Sequence, residues 1–108
     1  MKPIEFCGRS LETIRNFPPT VKRDAGHQLD RVQRGLNPLD WKPMPIIGKG
    51  VREIRLTDNG QFRIIYLAIL KTKVYVLHAF RKKSQKIRKQ DIYITQLALK
   101  DVHYRNSS

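Results

Sequence analysis

Residues 51–83, VREIRLTDNGQFRIIYLAILKTKVYVLHAFRKK, leave this chain little choice of structure. Arg52, Ile54 and Leu56 alternate with Val51, Glu53 and Arg55. A period of two belongs to a strand, here with one mostly apolar side and one mostly charged side. Asp58-Asn59-Gly60 follows as a hairpin signal. The next run, 61–70, is nearly all apolar after Arg63, which predicts a strand covered on both faces. A short turn at 71–72 leads into KVYVLHAF, 73–80. Three strands in hairpin succession make an antiparallel meander, and the third ends in a burst of cations, Arg81, Lys82 and Lys83.

What precedes the meander reads as scaffold. PIEFC, residues 3–7, is a short strand. Ser10 is a plausible helix cap with Glu12 in the first turn, where the helix dipole favours a carboxylate. That helix, from Leu11, should stop by Phe17 because Pro18 and Pro19 follow. A second helix starts near Thr20. Its apolar residues Val21, Ala25, Leu29, Val32 and Leu36 form one stripe, and Gly35 is a natural stop. Residues 36–50 carry Pro38, Pro43 and Pro45, so a long loop is expected there rather than a strand. Trp41 in that loop either seals the edge of a core or stacks on a base. A last helix should open near Asp91, with Ile94, Leu97, Ala98 and Val102 as its apolar residues, and the tail HYRNSS should fray. No repeat or linker interrupts the pattern. The expectation is a single α+β domain over residues 1–108.

Charge decides which partners to consider. Lys and Arg number 22 against 9 Asp and Glu, a formal net charge of +13. Such an excess repels itself in a compact chain and usually serves a partner: nucleic acid, an anionic membrane or an acidic protein. It is concentrated after the third strand, where RKKSQKIRKQ (81–90) contains six cations and no acid. One cysteine, Cys7, excludes an intrachain disulfide and reads as a small buried hydrophobe. The longest apolar run, IIYLAIL at 64–70, is far short of the ~20 residues a membrane helix needs. MKPIEF lacks the apolar run of a secretory leader. A cytoplasmic protein without membrane partners is expected.

The chain has no Gly-rich phosphate loop, no paired Cys/His metal spacing and no nucleophile elbow. Two-metal nuclease chemistry needs several convergent carboxylates, and the sheet offers only Glu53 and Asp58. No metal or cofactor is therefore expected. RNA can be cut without a metal because its own 2′-hydroxyl is the nucleophile. The protein must hold that oxygen in line, neutralise charge on the phosphate and move two protons. Arg55, Arg63, His78, Lys82, Lys83, Tyr66 and Glu53 supply every residue type this needs. Arg52, Arg81 and Lys86 add cations for binding the substrate. Each has a duller reading. Arg63 can be a surface cation, Glu53 and Arg55 can pair with each other or with a neighbouring strand, His78 and Tyr66 can be core residues, and 81–89 can be a solvated basic patch.

The sequence VREIR, QFRIIY and VYVLHAFRKKSQK, closed by a helix opening on KQDI, resembles the phage-derived HigB-like branch of the RelE/ParE toxin superfamily. HAFRKK followed by SQK is the most specific part, and the likeness spans about residues 3–100. The resemblance implies a RelE-like fold: two N-terminal helices on a small antiparallel sheet, made of the meander plus the N-terminal strand, and a C-terminal helix. It implies the toxin of a toxin–antitoxin pair, a metal-independent endoribonuclease that cleaves mRNA on the ribosome. The implied partner is a cognate antitoxin with a helix-turn-helix domain, through which oligomers can form. By motif position, Arg63 matches the substrate-binding arginine of the middle strand. Lys82 and Lys83 match the cationic pair after the last strand, and Glu53 and Arg55 are characteristic of this branch. The catalytic tyrosine of some RelE toxins has no counterpart here, since Tyr93 lies too far into the helix, and His78 is the candidate acid or base. ParE relatives share the fold but poison gyrase, so a noncatalytic gyrase inhibitor or a basic nucleic-acid-binding module is the alternative.

Overall fold

The computed structural model describes residues 1–68 and 72–107. Among these the chain forms β1 (Ile4–Phe6), α1 (Ser10–Arg15), α2 (Pro19–Gln33), β2 (Trp41–Pro43), β3 (Val51–Thr57), β4 (Gln61–Leu67), β5 (Val74–Lys82) and α3 (Lys89–Arg105). The strands build one sheet in the order β1-β5-β4-β3-β2. The expected strand end at 69–70, Lys71 of the expected turn and the last residue of the tail lie outside the described residues.

The meander forms as its pattern requires. β3, β4 and β5 pair antiparallel in succession. Asn59 turns the first hairpin with φ of 54°, a left-handed conformation that Asn tolerates better than most residues. β4 is buried on both sides from Phe62 to Leu67. One face is covered by α1, α2 and the link between them, where Ile14, Phe17, Val21, Ala25, Leu29 and Val32 pack on Ile54, Leu56, Phe62, Ile64 and Val76. The other is partly covered by α3, with Leu99 and Val102 over Ile65, Leu67, Leu77 and Phe80.

Several expectations need correction. The sheet has five strands and is mixed, because β1 runs parallel to β5 with Ile4 opposite Val74. A parallel partner is reached through a crossover, so nothing local in the sequence announces it. The proline-rich segment is not all loop. Trp41–Pro43 pairs antiparallel with β3, opposite Ile54 to Arg52. Pro43 is tolerated because β2 is an edge strand, which can leave its outer side without an N–H. Beyond it, Met44 and Ile47 are buried. Gly48 lies so close under α3 that a Cβ there would stand 2.6 Å from Leu99 Cδ2. Arg9, not Ser10, holds the cap position of α1. Ser10 is buried as the first helical residue, its hydroxyl 3.5 Å from the Val76 carbonyl. The tail does not fray at His103, since α3 continues to Arg105, which binds Glu5 Oε2 at 2.6 Å and Asp101 Oδ2 at 3.1 Å.

α3 also turns a different face inward. Its buried residues are Asp91, Thr95, Leu99 and Val102, spaced four, four and three apart. Ile94 and Leu97, expected in the core, are 38% and 49% exposed.

Candidate functional site

Residues directly opposite one another on neighbouring strands share a face. Three rows therefore lie side by side across β3, β4 and β5. They are Glu53–Ile65–His78, Arg55–Arg63–Phe80 and Thr57–Gln61–Lys82. Ile65 and Phe80 pack with α3, so this is the face beside the C-terminal helix. It gathers Glu53, Arg55, Arg63, His78 and Lys82. Lys83 and Lys86 follow in the exposed loop between β5 and α3.

The same register separates the rest. Arg52 lies opposite Tyr66, and Phe62 opposite Arg81, on the face that holds α1 and α2. The expectation that Tyr66, Arg52 and Arg81 join the other cations is therefore corrected. Alternation along a strand puts adjacent residues on opposite faces, so Arg52 cannot accompany both Glu53 and Arg55. Tyr66 is 1% exposed, and its hydroxyl has no hydrogen-bond partner among the described residues. Burial pushes its phenol up, and the neighbouring Arg52 opposes that. Arg52 donates to Asn37 Oδ1 at 2.9 Å and lies 4.2 Å above the Trp41 ring. Trp41 is thereby occupied at the sheet edge by a guanidinium. Arg81 packs 5.5 Å from the Phe62 ring.

Arg63 is the centre of the shared face. It is 6% exposed, and Glu53 beside it is 3% exposed. Arg63 Nε stands 3.7 Å from Glu53 Oε1, and Lys42 Nζ stands 3.8 Å from the same oxygen. Neither Arg63 Nε nor Glu53 Oε1 has a hydrogen-bond partner among the described residues, although both are buried. Buried polar groups are nearly always satisfied, so this donor and acceptor are held close without being spent on each other. Nη1 of Arg63 donates to the Phe62 carbonyl at 2.9 Å and to Gln61 Oε1 at 3.3 Å. Burial holds the guanidinium below its usual range; Glu53 opposes that and Arg55 adds to it. Arg55 is less free, with Nη2 2.8 Å from Asp40 Oδ1 and Nε donating to the same oxygen at 3.0 Å.

His78 is anchored from α3. Its Nε2 lies 2.8 Å from Asp91 Oδ1, and its ring stacks on Phe80 with centroids 5.3 Å apart. It also lines a groove of about 1500 Å³ that runs between α1 and α3 past the outer edge of β5. Of the sequence-predicted site residues, only His78 and Arg81 border that groove; Arg63, Glu53, Arg55 and Lys82 lie outside it. Among the described residues β1 pairs with β5 from Val74 to Val76, and no strand pairs with that side of β5 beyond this point, along the groove. Among the described residues, no group of three or more His, Cys, Asp or Glu side chains could hold a metal ion. No described helix is long and apolar enough to cross a membrane.

Residue-by-residue reading missed Asp91, Asp40, Gln61 and Phe80. Asp91 carries a signal in hindsight: it is the first acid after six cations, at a helix start. Asp40 carries none, because only the pairing of β2 with β3 brings its loop to Arg55.

The family model described as "Phage derived protein Gp49-like" matches residues 12–100. A mutant of E. coli toxin RelE, solved in the free state, superposes with a TM-score of 0.61 and 21% sequence identity. The match covers 94% of this chain and 97% of that chain, and it shows a RelE-like fold. No curated protein matches the chain.

Proposed function

Since this chain belongs to the Gp49-like family of phage-derived proteins, we propose that it is the toxin of a toxin–antitoxin pair, of the HigB-like kind, and that it cuts mRNA. The observation that carries the reading is the buried Arg63–Glu53 pair with its two unpartnered atoms, in one sheet face with Lys82 and His78. A guanidinium in a partly dry site interacts with a phosphodiester far more strongly than one in water. Arg63 neutralises the non-bridging oxygens, and Lys82 and Lys83 extend the cationic track. The 2′-oxygen bonds to phosphorus, its proton passes to His78, and the bond from phosphorus to the 5′-oxygen breaks. The leaving 5′-oxygen takes a proton from the Lys82 ammonium. No metal is needed for these steps. The products are a cyclic phosphate end and a free 5′-hydroxyl.

Purified protein incubated with mRNA, ribosomes and EDTA tests the reading. Cleavage should persist in EDTA and fall by about 10²–10³ in Arg63→Ala, the usual loss on removing one charge-stabilising donor. Intact RNA under all conditions overturns it. A second reading, a noncatalytic nucleic-acid binder or gyrase inhibitor, draws support from Arg55, whose guanidinium is already committed to Asp40. For a plain binder, Arg63→Ala weakens affinity and flattens its salt dependence without any cutting to lose. For a gyrase inhibitor, trapped gyrase–DNA complexes accumulate beside intact RNA. The antitoxin of the pair is proposed to be a helix-turn-helix protein that covers some of this positive surface. Expression of the chain alone should then arrest growth, and co-expression with the antitoxin should restore it.

A further inference from the structure

His78 has one hydrogen-bond partner among the described residues, and that partner comes from another element. Asp91, in the first turn of α3, is 5% exposed. A first-turn carboxylate also stabilises its helix from a solvated position, while burying it carries a desolvation cost. Two donors offset that cost: His78 Nε2 at 2.8 Å from Oδ1, and Arg88 Nε at 3.5 Å from Oδ2.

We propose that Asp91 is a positioning residue for RNA cleavage, holding the His78 imidazole with its proton on Nε2 so that Nδ1 is the nitrogen that takes the 2′-hydroxyl proton. A carboxylate only accepts hydrogen bonds, so in the neutral ring the shared proton belongs to Nε2 and the lone pair to Nδ1. Nδ1 makes no hydrogen bond to a described residue. The ring is further fixed against Phe80, with 23° between the planes, and Phe80 is the cross-strand neighbour of Arg63. Orientation from α3 and orientation from β5 thus meet on one imidazole in the row next to the buried arginine. When Nδ1 gains the proton, the ring becomes a cation, and Asp91 stabilises it without itself taking a proton. This inference rests on the ribonuclease reading.

Asp91→Asn separates positioning from scaffolding. The Asn amide can donate to Nε2, which moves the ring proton of neutral His78 to Nδ1 and removes the base. The variant should keep its fold and a KM within about threefold of the wild type, while kcat falls by about 10²–10⁴. ¹⁵N spectra of His78 should show the neutral Nε2–H form in the wild type and Nδ1–H in the variant. In a His78→Gln background, Asp91→Asn should add almost nothing, because residues acting as a unit are not additive. A wild-type ring protonated at Nδ1 overturns the proposal without any variant. So does a kcat loss that persists undiminished in the His78→Gln background. Wild-type protein that cuts RNA beside an Asp91→Asn variant that cuts as fast sinks this inference alone. Wild-type protein that cuts no RNA sinks the ribonuclease reading, and this inference with it.

Discussion

Glu53 sits in tension between holding the fold and binding a phosphate. It lies 3% exposed between Lys42 and Arg63, so it supplies the buried guanidinium with its counter-charge. It also competes for Arg63 with any phosphate that approaches. Glu53→Gln should therefore move two observables in opposite directions. Stability should fall, on the order of 2 kcal/mol, because a buried charge loses its partner. Affinity for single-stranded RNA should rise, and the slope of log affinity against log salt should steepen by about 0.7 if one more cation reaches the phosphates. Chemical denaturation and fluorescence anisotropy across a salt series read the two effects. Weaker RNA binding in Glu53→Gln would show that the carboxylate serves the ligand directly. The residue types of this face were legible from alternation alone, which puts Glu53 and Arg55 together on β3. Which residues of β4 and β5 join them was not legible. A register shift between Ile65 and Tyr66 sets that pairing, and a β-bulge leaves no reliable mark in composition.

At the level of elements, the sequence spoke most clearly where the pattern was local. The stripe of α2 and the hairpin turn at Asp58-Asn59-Gly60 depend on neighbours a few residues away. β1, β2 and the buried face of α3 depend on partners far along the chain. α3 illustrates the difference: Ile94 and Leu97 are its conspicuous apolar residues, yet the stripe beginning at Asp91 is the one that docks. His78 draws that end of the helix in through Asp91, and Glu5 holds the other end through Arg105. Glu5 is lowered from its ordinary 4.5, first by the hydrogen bond from Arg105, against a smaller opposing effect of burial. A depressed carboxylate stabilises the folded state above its unfolded value and loses that contribution as pH falls through the folded one. Glu5→Gln should lower Tm by roughly 2 °C at pH 7, a small effect because the pair is partly exposed and screened. The difference between variant and wild type should close as pH falls below 4.5 and through the lowered folded value. A gap that stays constant over that range would mean that Glu5 acts through packing rather than charge.

Across the whole molecule, the excess of positive charge cannot be cancelled from within. With 9 acids against 22 cations, even complete pairing leaves a net charge of +13. Glu5, Glu12, Asp30, Asp40, Glu53, Asp91 and Asp101 are already in ion pairs with cationic partners or His78. Among the described residues, Arg81, Lys82, Lys83, Lys86 and Lys89 make no ion pair, and they follow one another from the end of β5 into α3. Added salt has two consequences of opposite sign in such a molecule. It screens the repulsion among these cations, whose range is about 10 Å at 0.1 M, and so favours the compact state. It also weakens a bound polyanion, because releasing counterions into a saltier solution gains less entropy. Without RNA, Tm should rise as NaCl is raised from 50 to 500 mM, on the scale of a few degrees. With RNA at about 100 times its Kd, low-salt stability should gain about 2.7 kcal/mol by mass action. That gain should erode with salt, so Tm should fall over the same range until the two curves meet. A Tm that falls with salt in the absence of RNA would mean that surface ion pairs outweigh the repulsion. The charge would then be balanced within the fold rather than held in readiness for an anionic partner.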